Sequence, residues 1–169
     1  RARAAMVASV QKLVSALSAG SMEGRKQAAE KLAGFAITDE ARSEVIAAGA
    51  ARPLVLLLAS GSSEARMQAA KCLMHLASSK ARREVILAAS PVAPLWDLVL
   101  DDGESREEAL GALSNLALAD KARADLESAN VVPHLVALLS MGTATSQVRV
   151  LGVLAGLAER DACKDEIVA

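Results

Sequence analysis

A chain of 169 residues holds one medium domain or a short array of repeats, and with 53% hydrophobic but only 1% aromatic residues it must build its core from Ala, Leu and Val. The 19 basic and 20 acidic residues leave a net charge of −1, which excludes the basic footprint a nucleic-acid binder needs to displace counterions. Cys72 and Cys163 form no CxxC pair and suit reduced, buried thiols in a reducing compartment.

Ala and Leu are strong helix formers, so the composition predicts an all-α fold. In chain order, Arg1 opens inside a short helix. A leucine-rich segment, "KLVSALSAG" (12–20), and a longer one, "RKQAAEKLAGFA" (25–36), follow it. The same three segments then recur as "DEARSEVI" (39–46), "PLVLLLASG" (53–61) and "RMQAAKCLMHLA" (66–77). The third set is "KARREVI" (80–86), "PLWDLVLDDG" (94–103) and "REEALGALSNLA" (106–117). The fourth is "KARADLE" (121–127), "HLVALLSMG" (134–142) and "QVRVLGVLAGLA" (147–158), and "ACKDEIV" (162–168) begins another period. Leu13, Leu54, Leu95 and Leu135 mark the second segment, and Leu32, Leu73, Leu113 and Leu154 the third, at spacings of 40 or 41. A basic column, Arg42, Arg83, Arg123 and Lys164, runs through the first segment, and Arg1 stands one period upstream of it.

Local signals agree with three helices per unit. Gly20, Gly61, Gly103 and Gly142 are expected to end the leucine-rich helix with positive φ. Pro53, Pro94 and Pro133 stand in its first turn, where a missing N–H is not needed. Thr38, Ser79, Asp120 and Asp161 are the expected N-caps of the short helix. One such unit cannot bury its apolar face alone, whereas stacking makes a continuous core. The prediction is a single right-handed α-solenoid with repeats at about 1–38, 39–79, 80–119 and 120–160, and the start of a further one at 161–169. No segment reads as a membrane span, because the longest charge-free run, Val131 to Val148, is broken by Pro133, Gly142 and polar residues. The Gly152/Gly156 pair forms a GxxxG, but Arg149 and the short apolar run speak against membrane dimerisation. The expected compartment is cytoplasm or nucleus, with an organelle as the alternative because the first residue is Arg and a processed N-terminus leaves no targeting signal to read.

At these residues the chain resembles the armadillo repeat family. "NVVPHLVALL" (130–139) and "ALGALSNLA" (109–117) match its pattern well, and "GAARPLVLLL" (49–58) matches with Ala51 and Arg52 in place of Ile and Pro. HEAT-type repeats are the nearest alternative and lack the separate short first helix. The corner glycine of the family is present as Gly49, with Ala8, Ser90 and Asn130 at its counterparts, so an adjusted corner is expected at Ala8 and Ser90. Trp96 replaces an aliphatic residue and reads as a packing residue.

The resemblance implies that the third helices line a concave groove for an extended peptide, with an asparagine column that bonds the partner's backbone. The matching column here is Gly34, His75, Asn115 and Gly156. One turn earlier lie Glu30, Lys71, Gly111 and Gly152, where nuclear-import adaptors of the family carry tryptophans. Two turns before the asparagine column lie Gln27, Gln68, Glu108 and Arg149, a wall of mixed sign that offers no strip to a basic or an acidic peptide. Asn115 has three readings: a peptide-backbone ligand, an inter-repeat hydrogen bond, or a solvated residue. The groove glycines either let a partner approach the backbone or let third helices pack tightly. The basic column reads as a ladder of inter-helix ion pairs, with a convex anion-binding strip as the alternative.

No metal or cofactor is expected. Cys72 and His75 share a helix face, but a metal needs three or four ligands and no second pair is present. His134 reads as exposed and without a partner. No phosphate loop, GxSxG, HExxH or His-activated nucleophile is found, so no enzyme is expected. Both ends are expected to expose apolar side chains, Val7 and Val10 at one and Ile167 and Val168 at the other. A fragment of a longer array, or a subunit that docks by its ends, would look like this. Two functions follow. The first is a protein–protein interaction scaffold or adaptor that binds a protein or peptide segment in the groove. The second is a structural subunit of a large assembly held by its ends and edges.

Overall fold

The computed structural model describes residues 2–101 and 103–159. Among them are eleven helices and no strand. The first unit holds α1 (Ala2–Ala19) and α2 (Met22–Phe35). The second holds α3 (Asp39–Ala47), α4 (Ala51–Ser60) and α5 (Ser63–Leu76). The third holds α6 (Lys80–Leu87), α7 (Val92–Leu100) and α8 (Arg106–Leu116). The fourth holds α9 (Asp120–Ser128), α10 (Val132–Met141) and α11 (Ala144–Leu157). The long helices α2, α5, α8 and α11 pack on one another in succession, and each also packs on the leucine-rich helix of its own unit. Leu32, Leu73 and Leu113 are fully buried at this junction, as are Leu54, Leu95 and Leu135 opposite them. The result is one continuous all-α solenoid core. Among the described residues no single helix is long and apolar enough to cross a membrane.

Hydroxyl caps start five of the eleven described helices. Ser21, Ser62 and Thr143 accept from the backbone N–H groups of Gly24, Ala65 and Ser146 at the heads of α2, α5 and α11. Thr38 and Ser79 do the same for α3 and α6. Asp120 departs from expectation: it is the first residue of α9 rather than its cap, Ala119 stands at the cap without a side-chain bond, and the Asp120 carboxylate pairs with Arg123 instead. Asp161 lies outside the described residues.

The corners differ from the sequence reading in two ways. Gly49 takes φ +81°, and Ser90 and Asn130 hold the same left-handed conformation at 55° and 49°. At Ala8 the chain does not turn at all: α1 runs through it without a break, since Ala favours helix and resists the left-handed region. The first unit therefore has two helices. The glycines that end the leucine-rich helices do not use positive φ. Gly61 and Gly142 are extended, at −79° and −83°. What excludes a side chain there is space: a Cβ would lie 2.6 Å from the Leu57 carbonyl oxygen at Gly61 and 2.7 Å from that of Leu138 at Gly142. Gly103 caps nothing, because α7 already ends at Leu100 with Asp101 at its cap.

The basic column is a set of carbonyl caps more than an ion-pair ladder. Arg42, Arg83 and Arg123 donate through Nη1 to the carbonyls of Ala36, Ala77 and Ala117, at 3.3, 3.1 and 3.2 Å. These carbonyls lie just past the ends of α2, α5 and α8, where the helix supplies no partner. Ion pairs are secondary: Arg42 reaches Asp39 at 3.5 Å, and Arg123 pairs with Asp120 and Glu159. The neighbouring Arg82, like Arg3 with Glu44, makes an ion pair that joins two units. It is buried, reaches Asp39 of α3 at 2.7 Å, and holds that carboxyl below the usual carboxylate range. Arg1 and Lys164 lie outside the described residues.

Trp96 is buried, as expected of a packing residue. His134 is exposed but not alone, since it meets Trp96 edge to face with centroids 6.1 Å apart. Val10 is buried and Val7 half-buried, because the unbroken α1 packs onto α2, α3 and α4 and carries them inward. Ile167 and Val168 lie outside the described residues. Cys72 is buried and free, and burial pushes its thiol up to about 12. Cys163 lies outside the described residues.

Candidate functional site

The three candidate columns run across α2, α5, α8 and α11, and the structure uses them unequally. On α2, Gln27, Glu30 and Gly34 are all exposed. Gln27 donates to Glu23 on its own helix at 3.0 Å, and nothing lies within 4 Å of a Cβ placed on Gly34. On α5, Lys71 is exposed and Gln68 and His75 are half-buried. Burial, then the charges of Lys71 and Arg42, lower the pKa of His75, which keeps the ring neutral at pH 7.

Toward the other end the columns close up. Gly111 is buried because two side chains converge on it: a Cβ there would lie 2.4 Å from Met74 Sδ of α5 and 3.3 Å from Arg149 Nε of α11. Gly152 receives Ser114 of α8, whose Oγ would lie 2.1 Å from such a Cβ. Gly156 is buried against the backbone and methyl of Ala117, both 2.8 Å from a Cβ. At these three glycines the missing side chain accommodates the preceding unit, while at Gly34 it leaves open space.

Asn115 donates through Nδ2 to the Met74 carbonyl oxygen at 2.8 Å, which ties α8 to α5. One end of its amide is thus committed to an inter-repeat bond, and Oδ1 is left without a donor among the described residues. Met74, Gly111, Asn115 and Arg149, from three consecutive long helices, therefore meet in one place. Gln27, Glu30 and Gly34 belong to a separate, open stretch. Met74 and Ser114 are the residues that reading the columns missed. Each stands immediately before the asparagine column and faces a glycine in the next unit, so a long side chain paired with a glycine one unit later was the available signal.

Cavities lie away from this face as well as on it. A hollow of about 550 Å³ sits between α6 and α9, lined by Leu87, Leu118 and Lys121, and Lys121 closes part of it by donating to the Leu87 carbonyl at 2.9 Å. A hollow of about 440 Å³ lies beside α1 and α2, where Lys12, Gln27, Lys31 and Phe35 line it. Among the described residues no group of three or more His, Cys, Asp or Glu side chains could hold a metal ion.

No family model and no curated protein matches the chain. Solved structures do. An engineered protein aligns at 33% identity and TM-score 0.84, covering 94% of this chain and 66% of that one. A designed armadillo repeat protein aligns at 25% identity and TM-score 0.85, covering 94% and 69%. A structure described as computationally designed armadillo repeat proteins for modular peptide recognition aligns at 26% identity and TM-score 0.84, and a designed armadillo repeat protein in complex with the peptide (KR)4 at 29% and 0.76. The chain spans about two thirds of the length of most of these proteins and 40% of a further, larger engineered one.

Proposed function

This chain is an armadillo-type repeat solenoid, and we propose that it is a non-catalytic protein–protein interaction scaffold or adaptor whose concave face, built by α2, α5, α8 and α11, binds an extended partner segment. The observation that carries this reading is a row of polar side chains on that face, Glu30, Lys71 and His75, that take no hydrogen bond or ion pair from the described residues. Folding does not need them, and a partner backbone offers the donors and acceptors they lack. The designed neighbours that recognise peptides share the arrangement of helices that builds this face.

A library of displayed twelve-residue peptides, selected against the intact chain, tests the proposal. Selected peptides should lose about tenfold or more in affinity on His75→Ala combined with Lys71→Ala, with unchanged circular dichroism. Retained affinity overturns groove binding.

A second reading, a subunit held by its edges, draws on one observation. Leu151 is 54% exposed on α11, whereas Ala29, Ala70 and Leu110, its counterparts in the earlier units, are fully buried beneath the following long helix. Binding that survives the groove variants but is lost on Leu151→Glu would favour it.

A further inference from the structure

We infer that Arg149, folded across Gly111 beside the Asn115–Met74 contact, is an anion anchor that takes a carboxylate side chain of the bound segment; this rests on the groove reading above. Arg149 is half-buried, and its Nη1 is fully buried without a hydrogen bond. Every other buried or half-buried arginine among the described residues donates to a carbonyl or a carboxylate. Arg149 makes no ion pair with a described residue, although Glu108 stands one turn before Gly111 on α8. Its position is not that of a loose surface side chain either. The Gly111 backbone supplies a floor, 3.3 Å from Nε to where a Cβ would be, and Met74 Sδ supplies a wall.

A guanidinium held in one place and partly stripped of water is a better receptor for an anion than a mobile, hydrated one, because less order and less solvation are lost on binding. The buried Nη1 cannot meet a partner, but Nε and Nη2 form the other two-nitrogen edge of the guanidinium, and that edge matches a carboxylate. The net charge of −1 gives the molecule no general attraction for anions, so a preference for acidic segments must come from a local cation. Asn115 lies one turn beyond Gly111 on α8, and its Oδ1, which has no donor among the described residues, can accept from a backbone N–H. An extended segment lying there would bond its backbone to Asn115 and set a carboxylate on Arg149. Gly111 serves this arrangement directly, since any side chain would displace Arg149 or Met74.

Fluorescence anisotropy with three labelled peptides of equal length tests this: alternating Glu-Ala, alternating Gln-Ala and alternating Lys-Ala, each on wild-type, Arg149→Gln and Arg149→Lys protein. The Glu-Ala peptide should bind wild-type about tenfold more tightly than the Gln-Ala peptide. Arg149→Gln should abolish that preference by bringing the Glu-Ala affinity down to that of the Gln-Ala peptide, and Arg149→Lys should keep only part of it. Equal binding of the Glu-Ala and Gln-Ala peptides, or a preference that survives Arg149→Gln, overturns the anchor and leaves the groove reading standing. A preference for the Lys-Ala peptide also overturns the anchor. Binding of none of the three to wild-type overturns the anchor, and the library selection decides separately whether the groove binds at all.

Discussion

Gly34 and Gly156 occupy one column of the long helices, yet a methyl group should act on them in opposite directions. At Gly34 nothing lies within 4 Å of a new Cβ, and near a helix end alanine removes backbone entropy from the unfolded chain. Gly34→Ala should therefore stabilise by roughly 0.5 kcal/mol. At Gly156 the new Cβ would lie 2.8 Å from the Ala117 carbonyl oxygen, a backbone atom that cannot rotate away. Gly156→Ala should destabilise by about 1–3 kcal/mol as the two units are pushed apart. Urea denaturation of both variants checks the pair, and equal effects would show that space does not set the response. Sequence placed both residues in the column but could not separate them, since the difference depends on what the preceding helix brings opposite each one. Asn115 is similar: its donor is spent on the Met74 carbonyl, a partner one repeat away that no local pattern reveals.

Among the elements, the corners between short and leucine-rich helices show how far local preference reaches. Gly49 adopts its left-handed φ at no steric cost, and Asn130 at a modest one. Ser90 adopts it with a Cβ in place, and so at a steric cost. Ser90→Gly should then stabilise by about 0.5–1 kcal/mol, the relief of strain less the entropy that glycine loses on folding. A rise in the urea midpoint without a change in slope is the expected result, and a fall would mean that the serine hydroxyl contributes more than the strain costs. Ala8 lies at the same register but carries no such constraint, so α1 continues through it. The arginine caps show the same interplay. Spacing revealed the column, but the groups it serves are the carbonyls of Ala36, Ala77 and Ala117, and acidic neighbours in the sequence pointed to ion pairs instead.

For the whole molecule, each unit is stabilised mainly by its neighbours. Leu110 and Leu151 are the same position in consecutive units, one fully buried and the other 54% exposed. Leu110→Ala should cost about 2–5 kcal/mol because it opens a cavity between α8 and α11. Leu151→Ala should cost roughly 1 kcal/mol or less, in proportion to the small area it keeps from water. Chemical denaturation followed by circular dichroism measures both. Comparable losses would mean that position within the unit, rather than the presence of a covering neighbour, sets the energetics.

The repeat, the all-helical fold and the inward set of leucines can all be read along the chain. A period of 40 or 41 residues, hydroxyl caps and leucines at helical spacing are local or strictly periodic signals, and each is written in neighbouring residues. The sequence also places the candidate columns on the long helices. Packing between helices settles which members of those columns are open, which are filled from the preceding unit, and where the Arg149 side chain comes to lie. Those outcomes depend on single side chains meeting across a helix–helix junction. Met74 entering the space over Gly111, Ser114 entering that over Gly152, and Arg149 lying across α8 are contacts between residues about one repeat apart, fixed by packing geometry rather than by any pattern along the chain.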